Sequence, residues 1–422
     1  MRLLQAESLQ IFKIRDFRNF IGMRFFITLA IQMQFATLSL QIYYEYTNRD
    51  EFIVGLLGLA EVIPFVITSF YSGYVSDNTA RKKIIKIAVF ALTFNAILLF
   101  FNSDSNFLFG RNLGYYFIFG IVFLFGIIRS FLGATTHPFM SQIVPRNMYT
   151  HSATWNSSAW HLANILGPVL AGIVYSLNNQ YHANWCHFIV IVLFLIAIFF
   201  ILLIKHNGKF EQLKNKESVF ESFKVGLNFV FSNKMVLSAL SLDMFAVLFG
   251  GAVAILPAFT DKILGLAPEY YGILRTAPAC GAVIMALIMA FYPPQKKAGV
   301  ALLLCVAAFG IFTIGFALST NFWLAFIMLF LTGAFDNVSV VVRHSILQFG
   351  TPDNMRGRVS AINSIFIGSS NEIGAFESGA AAKYLGLVRS ILLGGTITML
   401  TVGCVNWLNP KLKKLDLTKF NG

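Results

Sequence analysis

The sequence predicts an all-α polytopic membrane protein with twelve transmembrane helices in two six-helix, pseudo-symmetric halves. Three observations carry this prediction: the composition, a series of long apolar segments, and a weak internal repeat. Of the 422 residues, 57% are hydrophobic, 15% aromatic and only 12% charged, whereas about a quarter of the residues in a soluble domain are charged. A soluble core of this size cannot cover 45 Phe side chains without large apolar surface patches. A soluble enzyme, a nucleic-acid-binding protein and a disordered chain are therefore disfavoured.

A helix needs about 20 predominantly apolar residues to cross a bilayer, and twelve segments meet this requirement. They fall near residues 19–44, 52–75, 84–101, 115–136, 152–176, 184–204, 235–257, 270–292, 299–317, 321–343, 359–380 and 388–408. The first segment is not predicted to be a signal peptide, because its apolar run is long and no small-residue cleavage site follows it.

The distribution of basic residues predicts the orientation of the chain. Of the 32 Lys and Arg residues, 23 fall in loops or tails on the side of the two termini, five on the opposite side and four within the spans. Excess Lys and Arg mark cytoplasmic loops, so both termini are expected in the cytoplasm. Anionic lipid head groups account for the net charge of +13 without a nucleic-acid partner.

The longest polar stretch, residues 206–233, separates the two halves. Apolar residues at helical spacing in its middle, residues 217–231, predict a helix lying on the inner membrane surface. The predicted organisation is a cytoplasmic amphipathic lead-in (1–18), an N-terminal bundle (19–204), a cytoplasmic linker (205–234), a C-terminal bundle (235–408) and a cytoplasmic tail (409–422).

The two halves resemble each other at a shift of 207 residues. Placing residues 144–172 over 351–379 without a gap matches eight of 29 positions. The same shift gives the pairs Pro145/Pro352, Asn156/Asn363, Asn164/Asn371 and His137/His344, and sets Arg129 opposite Asp336. Because the matches include Pro, Asn and Ser as well as Gly, an internal duplication is expected. Two such parallel halves form the plan of one large class of secondary transporters.

A polar segment, residues 73–83, follows the second span and carries Asp77 and, four residues later, Arg81. Asp77 can accept hydrogen bonds from a neighbouring helix N-terminus, and Arg81 can pair with it. Such a latch at the cytoplasmic face would stabilise one conformational state. The alternative is an ordinary basic helix end.

This segment resembles the signature of the major facilitator superfamily between spans two and three, Gly-x-x-x-Asp followed by Arg and a basic residue. Asn78 and Ala80 replace the usual Arg and Gly. The resemblance implies alternating access and a cytoplasmic gate. The residues assigned to that gate are Gly73, Asp77, Arg81 and Lys82.

Span five contains Gly167, Pro168 and Gly172. The stretch resembles the span-five motif of the superfamily's proton-coupled antiporters, with Ala163 and Ala171 in place of two glycines. The resemblance implies export, and the alternative is a proline kink with no bearing on transport direction.

Ionisable residues within the spans are functional candidates, because their burial in a membrane is costly. Arg129 begins a stretch similar to the superfamily's span-four Arg-x-x-x-Gly element, which implies a role in proton coupling; an arginine paired to backbone carbonyls is the alternative. Desolvation favours the neutral form of a carboxyl group, so the mid-membrane Asp243 and Asp336 are the first proton-site candidates. Glu61 and Glu372 come next.

Polar side chains that could line a substrate cavity are Gln32, Gln34, Asn156 and His161.

Residues 241–253 and 271–278 resemble the branch of the superfamily that holds enterobactin exporters and macrolide-efflux proteins. This resemblance implies a secondary active transporter in a bacterial inner membrane, acting as a monomer in proton-coupled export of a siderophore, a drug or a similar amphiphile. An uptake symporter or a lysolipid flippase is the alternative, and a sensor or scaffold would keep the same fold. The sequence has no Walker loop, HExxH or GxSxG motif. We therefore expect no enzyme, no cofactor and no metal, and an ion gradient as the driving force. The ion is H+ or Na+, and H+ is the first expectation.

Overall fold

The computed structural model describes residues 10–47, 49–103, 110–177, 182–208, 219–251, 253–291, 296–352 and 355–415. These residues form α-helices with short 3-10 and π-helical turns, and no β-strand occurs among them. Parts of the predicted lead-in, linker and tail, namely residues 1–9, 209–218 and 416–422, lie outside the described residues.

Contacts divide the chain into two compact units. The first unit consists of Met1–Tyr46 and Ile63–Lys216, and the second of Thr47–Val62 and Glu217–Gly422. From the sequence, the N-terminal bundle is predicted at 19–204 and the C-terminal bundle at 235–408. The observed units differ from these bundles at Thr47–Val62. This segment contains the beginning of the second helix and packs with the later helices of the chain.

The first six long helices follow the apolar segments closely, because a lipid-exposed backbone must satisfy its hydrogen bonds within the helix. Helix α1 continues into a π-helical turn, Ile42–Tyr46. The helices are α1 (Arg15–Gln41), α2 (Glu51–Asn78), α3 (Arg81–Ser103), α4 (Gly110–Ile143), α5 (Tyr149–Tyr175) and α6 (Ala183–Leu203).

The remaining helices belong to the second unit. They are α7 (Val219–Ser232), α8 (Lys234–Gly250), α9 (Pro268–Phe291), α10 (Ala298–Ala317), α11 (Phe322–Phe349), α12 (Arg356–Leu385) and α13 (Leu387–Leu408). Helix α7 is the linker helix. Under the sequence repeat, helices α8 to α13 therefore correspond in order to helices α1 to α6.

The packing of the helices repeats between the units. In the first unit α1 packs against α5 and α6, and α3 against α4 and α6; in the second, α8 packs against α12 and α13, and α10 against α11 and α13. These are the same four pairs under the sequence repeat. The predicted architecture of two pseudo-symmetric helical halves is therefore confirmed.

Within the described residues, 11 helical segments are long and apolar enough to cross a membrane, judged by length and composition. Each overlaps one predicted span. The remaining predicted span, 359–380, lies inside α12, which has 30 residues and so extends about 45 Å. Helix α12 has the necessary length but is rich in Gly, Ser, Asn and charged side chains, which lowers its hydropathy.

Glycines fix the pairing of α9 with α11. A Cβ atom at Gly281 would overlap the carbonyl oxygen of Phe330, and one at Gly333 would overlap that of Pro278. Only glycine allows the two backbones to approach this closely. The contact sets the position of α11, which carries Asp336 and Arg343.

The linker helix α7 occupies the position that the periodicity of residues 217–231 predicts. Its buried face packs on the second unit: Gly226 contacts Ile362 and Arg358 of α12, and Val230 joins an apolar cluster with Val359 and Ile362. Its opposite face exposes Val225 and Phe231. A location on the inner membrane surface remains a prediction.

Candidate functional site

Two buried charges of opposite sign meet in the second unit. The Arg343 guanidinium on α11 forms an ion pair through Nη1 with Oδ1 of Asp243 on α8, and the two side chains are 2% and 7% exposed. Helices α8 and α11 pack directly against each other, which brings together residues 100 positions apart. Removing one partner of such a buried pair leaves an uncompensated charge and costs about 3–5 kcal/mol.

Asp336 shares the helix of Arg343. It lies seven residues earlier, two helical turns and about 10 Å along the axis, on nearly the same face. Side chains on a helix point towards its N-terminus, so the Arg343 side chain extends in the direction of Asp336. Nε of Arg343 is buried without a hydrogen-bond partner among the described residues. Arg343 therefore has donor capacity left beyond its pairing with Asp243.

Asp243 and Asp336 were proton-site candidates from the sequence, whereas Arg343 had no specific role there. Asp336 is half-buried, and no ion pair joins it to another described residue. Among the described residues, the Asp243 carboxylate therefore has a cationic partner, Arg343, and the Asp336 carboxylate has none. A signal for Arg343 was present in the sequence, since an arginine within an apolar segment needs a partner.

Arg129 lies in the first unit and is half-buried. Its guanidinium carbon is 5.4 Å from the centre of the Phe65 ring on α2, a cation–π geometry. The next residue, Ser130, has its hydroxyl oxygen 2.8 Å from that of Thr68. Gly133, the glycine of the span-four element, has no described heavy atom within 4 Å of a Cβ position. A role of Arg129 in proton coupling remains a prediction.

Glu61 and Glu372 lie on a tight helix pair of the second unit. A Cβ atom at Gly58 would lie 2.5 Å from the carbonyl oxygen of Glu372, and one at Gly55 would lie 2.8 Å from that of Ala375. The beginning of α2 therefore runs in backbone contact with α12. Glu61 is buried and lies one turn beyond Gly58, on the same face, so it too faces this contact.

Three ion pairs fasten the start of α2 within the second unit. Arg49 pairs with Asp261 at 3.0 Å, Glu51 with Lys262 at 2.6 Å, and Asp50 with Lys383 at 3.2 Å. We call these six residues the outer ion-pair cluster, after the side of the membrane that the charge distribution predicts for them. From the sequence, Arg49, Lys262 and Lys383 belong only to the five cations of the outer side. The charged triplet at 49–51 was the available signal, but its partners are more than 200 residues away.

The residues assigned to the cytoplasmic gate lie together at one end of the first unit. Oδ1 of Asp77 and Nη2 of Arg81 are 3.5 Å apart, and the Asp77 side chain is 57% exposed. The Lys82 ammonium group donates to the carbonyl oxygen of Ile204, directly after α6. Gly73 has no described heavy atom within 4 Å of a Cβ position, so no helix of the described residues packs closely on it. The gating role of these residues remains a prediction.

Asp16 closes the same end of the first unit, and sequence reasoning missed it. Its Oδ1 accepts the backbone N–H of Lys205 at 3.0 Å, and its Oδ2 accepts that of His206 at 2.9 Å. Asp16 therefore ties the first turn of α1 to the chain leaving α6. The sequence signal was an acid among basic residues, since Lys13, Arg15 and Arg18 surround Asp16.

The span-five motif forms the contact between α5 and α1. A Cβ atom at Gly167 would lie 2.6 Å from Cβ of Gln32 and 2.9 Å from the backbone nitrogen of Met33. Pro168 and Gly172 are buried on the same helix. The motif thus has a packing role, whichever direction of transport it accompanies.

The other three cavity candidates share an unmet hydrogen-bonding capacity. Oε1 of Gln34, Oδ1 of Asn156 and Nδ1 of His161 are buried and have no hydrogen-bond partner among the described residues. Buried polar atoms are generally paired with protein or water, so these atoms suit a wet or substrate-lined surface.

Equivalent positions of the repeat adopt the same side-chain geometry. Nδ2 of Asn164 donates to the carbonyl oxygen of Trp160 at 2.7 Å, and Nδ2 of Asn371 donates to that of Ile367 at 2.8 Å. Oδ1 of Asn363, like that of Asn156, is buried and unpaired among the described residues. The duplication therefore extends from helix packing to individual amide groups.

This repeated six-helix packing is the architecture of a major facilitator superfamily transporter. A match to the family described as transmembrane secretion effector, MFS_3, covers residues 47–421, and the chain belongs to this family. It is a multi-pass membrane transporter, and the resemblance stated from the sequence is confirmed.

Two curated relatives are transporters. The staphyloferrin A transporter of Staphylococcus aureus is 21% identical over 386 residues, covering 87% of this chain and 90% of the relative. The uncharacterized MFS-type transporter YkuC of Bacillus subtilis is 24% identical over 263 residues, covering 60% of this chain and 59% of the relative.

Solved structures share the fold at low sequence identity. The nucleoside transporter NupG superposes with a TM-score of 0.75 at 11% identity, covering 93% of this chain and 99% of that one. A D-xylose–proton symporter gives a TM-score of 0.72 at 13% identity, with coverages of 96% and 100%. At these identities the likeness concerns the fold alone.

Proposed function

We propose that the protein exports a small organic molecule by alternating access, in exchange for protons. The observation that carries the proposal is the buried Arg343–Asp243 pair, with Asp336 two turns away on the Arg343 helix. The carboxyl group of Asp336 forms no ion pair with another described residue. Ionisable groups at this depth commonly mark ion or substrate pathways. The family's description as a secretion effector and the span-five motif support the outward direction.

In the proposed cycle Asp336 carries the proton. A proton and a hydrogen-bond-donating or cationic group of the substrate compete for its carboxylate, and this competition couples the two fluxes in opposite directions. Asp243 is a positioning residue: by pairing with Arg343 it keeps the guanidinium away from Asp336. Without Asp243, the released Arg343 would pair with Asp336 and hold it in its charged form, because an adjacent cation favours a carboxylate.

The substrate class follows from the relative and from the site chemistry. One relative is a transporter of the siderophore staphyloferrin A, so we propose a siderophore or a similar polar amphiphile bearing hydrogen-bond donors. The amide groups of Gln32, Gln34 and Asn156, with His161, are the proposed further contacts. Arg129, Glu61 and Glu372 are proposed to assist coupling.

The test is transport in proteoliposomes under an imposed pH gradient. Labelled staphyloferrin A is the first probe, followed by catecholate siderophores, macrolides and cationic dyes. We expect the gradient to accelerate efflux by the wild type, and Asp336→Asn and Asp243→Asn to abolish that acceleration. Adding Arg343→Gln to Asp243→Asn should restore it, because Asp336 can then be protonated again.

Glu269→Gln is the matched control, since Glu269 lies in the first turn of α9, away from the ion pair. It should leave the response to the gradient unchanged. Substrate counterflow without a pH gradient shows in parallel that each variant is folded and binds the probe. A double variant as inactive as Asp243→Asn would contradict the positioning role of Asp243.

We further propose that both termini face the cytoplasm of a bacterial inner membrane and that the protein acts as a monomer. The excess of Lys and Arg on the side of the termini supports this orientation. A reporter fused to the C-terminus that is active only in the cytoplasm tests the orientation, and light scattering in detergent tests the monomer.

A further inference from the structure

The seventh predicted span, 235–257, is interrupted. Helix α8 ends at Gly250, and Gly251 is extended, with φ −79° and ψ 92°. The chain becomes helical again in a 3-10 turn, Val253–Ile255. The last carbonyl groups of a helix have no partner within it, and the negative end of the helix dipole lies there. At the interruption the carbonyl oxygen of Gly251 accepts the hydroxyl proton of Ser378 at 3.0 Å, and a carbonyl oxygen has a second lone pair.

A small cavity adjoins this interruption within the second unit. It is small, since the volume in which the centre of a water-sized sphere fits is about 10 Å³. That is roughly the minimum for one water-sized occupant. The cavity is lined by Phe249, Gly250, Ile255, Thr313, Ser378, Ser390 and Ile391.

Three hydroxyl groups line the cavity from three different helices. Thr313 on α10, Ser378 on α12 and Ser390 on α13 are 2%, 6% and 6% exposed. Their hydroxyl groups donate, respectively, to the carbonyl oxygens of Phe309 at 2.9 Å, Gly251 at 3.0 Å and Leu387 at 2.9 Å. A hydroxyl group has one proton to donate and two lone pairs. With each proton already engaged, these three oxygens can only accept.

We propose that this cavity binds one sodium ion. Hard cations prefer hydroxyl, carbonyl and water oxygens, and interrupted transmembrane helices supply such oxygens to sodium in other transporters. None of the described lining residues is charged, so the site lacks the carboxylates with which proteins neutralise divalent ions. The small volume favours sodium over the larger potassium ion. Sodium at this position would join the interrupted end of α8 to α10, α12 and α13, independently of proton coupling at Asp336.

The first test is the thermal stability of the purified full-length protein in NaCl, KCl and choline chloride at equal ionic strength. Tryptophan fluorescence gives the unfolding temperature, and 22Na+ binding gives the stoichiometry. We expect a saturable rise on the order of a few degrees in sodium only, as for a ligand that binds only the native state, and about one bound 22Na+ per protein.

Substitutions locate the ion. Ser378→Ala and Thr313→Val should each weaken the apparent sodium affinity by about tenfold or more. Thr396→Val is the matched control: Thr396 lies on α13 like Ser390 and donates to the carbonyl oxygen of Leu392 at 2.7 Å, but it is exposed and outside the cavity. Its affinity should equal that of the wild type.

Equal unfolding temperatures in the three salts, with no bound 22Na+, would mean that the cavity holds water only and would overturn the proposal. Wild-type sodium affinity in Ser378→Ala and Thr313→Val would do the same. Should a variant fail to fold, the ion specificity of the wild type still decides. Proton-driven efflux in sodium-free buffer tests the proposed function separately.

Discussion

The Arg343–Asp243 pair predicts a large and non-additive effect on stability. At about 4 Å, two unit charges attract by about 4 kcal/mol at an effective dielectric constant of 20, and the two side chains are only 2% and 7% exposed. Arg343→Gln leaves the Asp243 carboxylate buried without a partner, so the free energy of unfolding should fall by about 3–5 kcal/mol. The variant Asp243→Asn/Arg343→Gln buries two neutral amides and should lie within about 1–2 kcal/mol of the wild type.

The assay is a double-mutant cycle, with unfolding in detergent followed by tryptophan fluorescence. Because each single substitution costs about 3–5 kcal/mol and the double about 1–2, the expected coupling free energy is about 4 kcal/mol or more, well above the few tenths of a kcal/mol seen for independent sites. The control Glu269→Gln should be neutral, since it removes a carboxyl group away from the pair. Additive effects of the two single substitutions would refute the reasoning, because they would mean that the charges do not stabilise each other.

Gly333→Ala should strongly reduce the folding yield, because its Cβ atom would overlap a carbonyl oxygen of α9. Gly73→Ala should be neutral, since no described atom lies within 4 Å of its Cβ position. Size-exclusion profiles of the two variants test the contrast. Reversal of one outer pair by Lys262→Glu should lower the free energy of unfolding in low salt by about 0.2–1 kcal/mol, and Glu51→Lys in the same chain should recover it. Equal stability of the single and double variants would contradict the pairing. Asp16→Asn should give faster amide hydrogen exchange at Lys205 and His206, because their N–H groups lose the carboxylate that accepts from them. Unchanged exchange at these two residues would contradict the proposed role of Asp16.

The helices and their division into two similar halves were the predictable part of the structure. Long apolar segments locate membrane helices because the bilayer sets their length. The shift of 207 residues predicted the duplication, and Asn164 and Asn371 show it in matching hydrogen bonds. Helix α12 was recognisable by its likeness to α5, although its polarity sets it apart from the other spans.

Contacts between distant residues were the unpredictable part. Hydropathy places Asp243 and Arg343 within apolar segments but does not show which helices touch, so their pairing depends on packing. The outer ion-pair cluster and the placement of Thr47–Val62 in the second unit also depend on helix packing, so the sequence did not predict them. The interruption after Gly250 had a local signal, the pair Gly250-Gly251, but glycine is also common inside regular membrane helices.

The most direct test of the central claim is the sign of the pH effect on efflux. Proteoliposomes loaded with labelled staphyloferrin A are diluted into acidic or alkaline buffer, with Asp336→Asn beside the wild type. Antiport predicts faster wild-type efflux into acidic buffer, because protons enter as substrate leaves, and no pH effect in Asp336→Asn. Faster efflux into alkaline buffer would show symport, and an equal pH response of both proteins would exclude Asp336 as the proton carrier; either result would contradict the account.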